Sequence, residues 1–296
     1  MFLMASSGVL FLDSGEKQGY NTGEVTKQNS KKKVLYLTAD VKELFEEFSR
    51  IPQVEAIALG GSRATGRNDE KSDYDVYLYI TDPIEADIRR QILVNYCQYI
   101  EIGNQFWELE DDVTLSSGID MDIIYRNLQD FENTVASVVI GCQPYNGYTT
   151  CMWHNLIASR IVFDRNGKLF ALQKAYQIPY PGKLKKNIIE NNMKLLSGIL
   201  PSFDTQIRKA ENRQDLVSVN HRVTEFLASY FDILFALNEM THPGEKRMQQ
   251  ICSSECRILP KDFDRNLNRL FLGMFQEPIS PVIEDMVTEL RKICSF

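Results

Sequence analysis

Histidine, tryptophan and cysteine are scarce: the 296 residues hold three His, two Trp and six Cys. Six cysteines are too few for a disulfide scaffold in a chain of this length. Cys252 and Cys256 stand four apart with no histidine close by in sequence, so a zinc site is not expected. Reduced thiols in a cytoplasmic protein are the plain expectation. No stretch reaches the roughly 18–20 apolar residues of a spanning helix, so no membrane segment is expected. A basic excess is missing too, with 33 Lys and Arg against 40 Asp and Glu for a net charge of −7. That balance argues against nucleic acid as the default partner. Repeats are absent, and a composition of 44% apolar and 25% charged residues excludes a disordered chain or a coiled-coil rod.

What is present is unevenly spread. Residues 1–140 carry 13 basic against 24 acidic side chains, whereas residues 141–296 carry 20 against 16. The first dozen residues are apolar but have no basic start and no convincing cleavage site, and a polar stretch follows to Lys33. Residues 1–33 are therefore expected to form a flexible tail. Thr38 is placed to cap a helix reaching about Arg50, with Val41, Leu44, Phe45 and Phe48 on one face. Residues 54–59, 73–80 and 119–125 read as strands, and helices are expected from Pro83 to about Ile100 and over 128–140. The run Glu110–Asp111–Asp112 reads as a solvated connecting loop. Beyond 142–148 the pattern turns helical, with segments over 151–159, 167–176, 182–200, 202–216, 219–239, 244–251, 261–274 and 279–293. Seven of the ten prolines punctuate that half. Two domains are expected, over 34–145 and 146–296.

The chemistry concentrates in 57–80, IALGGSRATGRNDEKSDYDVYLYI. A strand delivers the chain into Gly60–Gly61–Ser62, where glycine lets backbone approach a bulky anion and amides and a hydroxyl can face it. Asp73 and Asp75 follow, two apart on a strand and so on one face. Adjacent carboxylates repel unless a cation lies between them, and hard oxygen ligands favour magnesium. Asp120 and Asp122 form a second such pair on a later strand, and either can stand beside the first two. Three carboxylates suffice for two magnesium ions, one escorting a triphosphate and one activating an attacking hydroxyl.

GGSRATG, then SDYD, then an acidic strand resembles the polymerase-beta-type nucleotidyltransferase superfamily. Within it, the pattern is similar to bacterial enzymes that adenylylate aminoglycosides and lincosamides. The resemblance covers about 40–295, by motif in the first half and by helical style alone in the second. It implies an α+β protein: a nucleotidyltransferase fold of mixed β-sheet flanked by helices, followed by an all-α helical bundle on the acceptor side. It implies that Gly61, Ser62 and Arg63 hold the nucleotide's phosphates and that Asp73 and Asp75 ligate magnesium. Asp122, preferred to Asp120 because DIIYR is closer to the family's acidic strand, is implied as the third carboxylate, for metal or for the acceptor's proton. Lys246 is a candidate to reach the phosphates from the helical half, across a cleft in which the acceptor pocket is expected. The reaction implied is magnesium-dependent transfer of AMP from ATP to a small hydroxylated acceptor. Modification of protein or RNA and a non-catalytic nucleotide-binding regulator are the alternatives.

Overall fold

The computed structural model describes residues 37–66, 69, 72–106 and 108–294; the tail expected over 1–33 lies outside them. Helix α1 (Ala39–Arg50) leads into β1 (Val54–Leu59), the one-turn-long α2 (Gly61–Thr65), β2 (Tyr74–Ile80) and α3 (Ala86–Leu93). The chain continues through β3 (Cys97–Asn104), β4 (Glu110–Leu115), β5 (Asp120–Asn127), α4 (Leu128–Val139), α5 (Cys151–Ala158) and β6 (Arg160–Asp164). Helices α6 (Lys168–Tyr176), α7 (Gly182–Leu196), α8 (Phe203–Asn212), α9 (Leu216–Leu237), α10 (Met248–Glu255), α11 (Phe263–Gly273) and α12 (Ser280–Ile293) complete it.

The strands form one sheet in the order β3-β4-β5-β2-β1-β6, with β2 and β5 parallel and every other pair antiparallel. The mixed sheet with flanking helices, followed by helix after helix, is the α+β architecture anticipated. Alternation on β2 sends Tyr74, Val76, Leu78 and Ile80 into a core shared with Val41, Leu44, Phe45 and Phe48 of α1. The opposite face of β2 carries Asp75 and then the buried Tyr77 and Tyr79. Arg126 lies over the Tyr77 ring at 4.3 Å, and Phe131 of α4 lies 5.5 Å from Tyr79. Those contacts cover the far end of the face and leave the Asp75 end uncapped by them.

Three strands were not anticipated. Residues 97–100, expected as helix, begin β3, because α3 stops at Leu93 and Ile100 and Ile102 then alternate with Tyr99 and Glu101. Glu110–Asp111–Asp112 is not a loop but the start of β4. Asp111 points into the core at 0% exposure, paired with Arg89 and accepting a hydrogen bond from Tyr125 Oη at 2.8 Å. The third is β6, which pairs with β1 at the sheet's edge.

The chain forms two compact units: the described residues up to Glu132 with Leu156–Gln177, and Asn133–Asn155 with the chain from Ile178 onward. In the second unit, α7 and α8 pack on the 22-residue α9, whose Phe226, Tyr230, Phe231, Ile233 and Leu234 are buried. Asp232 of α9 lies inside at 1% exposure and accepts from Thr149 N (3.0 Å), Thr149 Oγ1 (2.6 Å) and Asn192 Nδ2 (3.0 Å). Burial raises its carboxyl to about 6, against the smaller lowering effect of those hydrogen bonds. Between the unfolded value near 4 and about 6, the folded chain holds a proton that the unfolded chain has lost. Asp232 therefore lowers stability as pH rises through that window, with no further change above it. Urea midpoints at pH 4 and pH 7 should show a downward pH step that is smaller in Asp232→Asn; an equal step in both proteins would assign it elsewhere.

Candidate active site

The turn after β1 is built around two glycines that admit no side chain. A Cβ on Gly60 would fall 2.4 Å from Tyr77 Cε2, and one on Gly61 would fall 1.8 Å from Asp75 Oδ2. Gly61 also has φ +55, a left-handed backbone that L side chains rarely adopt. The Gly60 amide donates to the Asp75 carbonyl at 2.8 Å, which fixes the turn against the start of β2. The Asp75 carboxylate thus lies directly over bare backbone. Ser62 follows, and its Oγ is buried with no hydrogen-bond partner among the described residues.

Register then sets the acids. Parallel pairing places Asp75 opposite Asp122, and antiparallel pairing places Asp122 opposite Asp112. Cross-strand partners share a face, so Asp75, Asp122 and Asp112 form a row across three neighbouring strands. Asp73 immediately precedes β2, two residues before Asp75. Asp112 accepts from Asn104 Nδ2 at 2.8 Å. The Glu110 carboxyl is raised, first by partial burial and then by the charges of Asp112, Asp122 and Glu108. Asp120 lies one step farther out, exposed, and accepts from Thr114 Oγ1 at 2.8 Å. Sequence alone does not put Asp112 and Glu110 on this face, because Glu110–Asp111–Asp112 reads as a loop.

Arg63 is engaged elsewhere than with an open cleft. It is 8% exposed, with Nε donating to the carbonyls of Ser72 (3.0 Å) and Asp73 (2.9 Å) and its guanidinium 3.7 Å from the Tyr74 ring centre. These contacts tie α2 to the backbone that presents Asp73. Lys246 belongs to the second unit, exposed in the turn before α10; within the first unit Asp75 lies against Gly61 and stands opposite Asp122. His154 serves as a packed residue, its Nδ1 2.7 Å from Thr241 Oγ1. Tyr74, Tyr77 and Tyr79 are buried and present no stacking platform.

Residues 41–142 match the family model for a nucleotidyltransferase domain. That stretch is a nucleotidyltransferase domain. It contains the glycine turn, both aspartates of SDYD and the whole of β5, and it makes the chain a transferase. Among solved structures, a nucleotidyltransferase-like protein from Exiguobacterium sibiricum is similar at 12% identity, covering 86% of this chain and 73% of that one, with TM-score 0.41. An aminoglycoside 6-adenyltransferase from Bacillus subtilis is similar at 10% identity, covering 87% and 92%, with TM-score 0.29. No curated protein sequence matches.

Two features of the nucleotidyltransferase domain fit a polyphosphate carried with a hard cation. One is the Asp75 carboxylate packed against bare Gly61 backbone at the strand end, a hard donor beside the turn; the other is the Ser62 hydroxyl, buried and without a hydrogen-bond partner among the described residues. The carboxylates are hard donors of the type magnesium takes. Among the described residues no three His, Cys, Asp or Glu side chains already converge as a metal cluster. Gly61→Ala should force Asp75 aside as well as strain the backbone. The expected loss is about 1–3 kcal/mol of stability and, through misplacement of the carboxylate, about 10²-fold in turnover. Urea denaturation and pyrophosphate release measure the two, and a variant with unchanged turnover would mean that Asp75 need not stand where it does.

Proposed function

We propose that the protein transfers AMP from ATP to a small hydroxylated acceptor, with magnesium, releasing pyrophosphate. The observation that carries this reading is the register of Asp75 opposite Asp122 with bare Gly61 backbone under Asp75. Gly61 and Ser62 hold the phosphates, the Ser62 hydroxyl donating to an anionic oxygen. Asp73 and Asp75, with Asp122, are the magnesium ligands. Bound magnesium supplies charge neutralisation of the triphosphate and of the pyrophosphate that leaves.

Asp122 takes the proton of the acceptor hydroxyl as its oxygen attacks the α-phosphorus in line. The new bond is acceptor oxygen to α-phosphorus, and the bond that breaks joins the α-phosphorus to the oxygen bridging to the β-phosphate. Arg63 acts by holding the backbone of Ser72 and Asp73, which positions the carboxylates. Catalysis rests on positioning and electrostatics, with no covalent enzyme intermediate. A cytoplasmic location is supported by six free cysteines and by the fact that, among the described residues, no helix is long and apolar enough to cross a membrane.

ATP labelled at the α- or γ-phosphate, incubated with magnesium and fractionated metabolite extracts, tests the reading. The α label should enter an acceptor product and the γ label should leave as pyrophosphate. Transfer of the γ label to the acceptor would replace this reading with phosphoryl transfer.

A further inference from the structure

Helix α11 is apolar on two sides. Its inner side buries Phe263, Leu267 and Leu270. Its outer side carries Phe271, Leu272 and Phe275, exposed at 50%, 75% and 56%. Past Gly273 the helical turn continues, with Met274 N donating to Leu270 O and Glu277 N to Gly273 O, each at 3.0 Å. Phe271 and Phe275, four apart, therefore lie side by side with Leu272 next to them. Arg265, Asn268, Leu272 and Phe275 follow at spacings of three, four and three, all exposed. That spacing is the seam of a helix packed on another helix. Alongside it a groove of about 800 Å³ extends from Arg265 to Glu277. Its floor is Gly273, and Glu277 leans over that bare backbone, with Oε1 3.1 Å from where a Cβ would stand. Charge is graded along the face, with Arg265 and Arg269 toward its start and Glu277 at its end. Arg269 pairs with Asp285 at 2.8 Å, whereas among the described residues Arg265 and Glu277 have no ion pair.

We propose that this face of α11 is a homodimer interface, pairing antiparallel with the same face of a second copy about a two-fold axis at Leu272. A rise of about 1.5 Å per residue puts Arg265 about 10 Å from that axis and the partner's Glu277 about 8 Å from it on the same side. The two charges that lack an ion pair thus meet twice per dimer. Asn268 and the partner's Gln276 fall level with each other, about 6 Å from the axis, where two amides can exchange hydrogen bonds. Leu272 meets its own copy at the centre, so the apolar trio of each chain covers that of the other. Parallel pairing would set Arg265 against Arg265 and Glu277 against Glu277, so the charges select the antiparallel arrangement. A face that is complementary to itself fits a second copy, and such a contact closes at two chains. The interface does not rest on the nucleotidyl-transfer reading.

Sedimentation equilibrium of the full chain over a range of concentrations tests the proposal. The parent should show a monomer–dimer equilibrium. Leu272→Glu sets two like charges at the axis and should weaken the dimer at least about 100-fold. The position is exposed, so the thermal melt at a concentration where both proteins are monomeric should be unchanged. Arg265→Glu and Glu277→Arg should each weaken the dimer about 10-fold, and the two together in one chain should restore it. Val217→Glu alters an equally exposed apolar residue at the start of α9 and should dimerise as the parent does. A parent that stays monomeric or assembles beyond a dimer overturns the interface. Parental dimerisation in Leu272→Glu, or no restoration in the double charge swap, overturns it as well.

Discussion

Asp75→Asn is expected to lower pyrophosphate release by at least about 10³-fold while leaving the fold intact. Asparagine keeps the size of the side chain, so the packing over Gly61 survives. It removes the charge that faces Asp122 across the β2–β5 pair. The Asp75 main chain, which accepts from the Gly60 amide, is untouched. Loss of turnover with an unchanged melting temperature is therefore the expected signature. Full activity in Asp75→Asn would remove the carboxylate row from the mechanism.

The largest expected effect on stability lies at Asp111. It is wholly buried with Arg89, and its oxygens also accept from Tyr125 Oη at 2.8 Å and the Gly103 amide at 3.0 Å. Arg89 is tied further by Nε donating to the Ile84 carbonyl at 3.1 Å, with its guanidinium 4.9 Å from the Tyr125 ring centre. Asp111→Ala leaves a buried guanidinium without its counter-ion, which should cost about 3–5 kcal/mol. Replacing both members, as in Arg89→Met with Asp111→Leu, should restore part of that loss, because no uncompensated charge remains. Urea denaturation reads both numbers. A loss below about 1 kcal/mol in Asp111→Ala would fit an exposed surface pair and contradict the buried one.

The acid that does most for stability was the one that sequence reasoning placed in solvent. Glu110–Asp111–Asp112 looks like a charged loop because strand alternation is usually recognised by apolar residues on the inner face. Here Leu109, Asp111, Val113 and Leu115 hold the inner positions, and the aspartate hides the period. Its partner Arg89 stands 22 residues earlier, so no local pattern shows the pair. The same non-locality conceals β6: Arg160–Asp164 becomes a strand by pairing with β1, about a hundred residues back. Helices α7 to α12 were legible because proline punctuation and a 3.6-residue period are local signals.

The glycine turn and the spacing of the acids were more legible than the sheet around them. Glycine in a turn, and paired acids on a strand, carry their reasons within a few residues. The side chain over Gly61 could not be read from sequence, nor could the register that sets Asp122 against Asp75, since both depend on how β1, β2 and β5 pair. Arg63 shows the opposite failure. A basic residue beside a phosphate cradle invites an ionic reading, but its guanidinium is bound to the carbonyls of Ser72 and Asp73. Five acids of the first half have such non-local uses: a buried ion pair at Asp111, a structural pair between Glu108 and Arg126 at 2.7 Å, and the row through Asp75, Asp122 and Asp112.

Calorimetric titration of ATP into the full chain, with magnesium or with a chelator, tests the central claim without knowledge of the acceptor. The carboxylate row repels a bare triphosphate, so binding should require magnesium and should be lost in Asp75→Asn. Equal ATP binding with and without magnesium, or undiminished magnesium-dependent binding in Asp75→Asn, would contradict it.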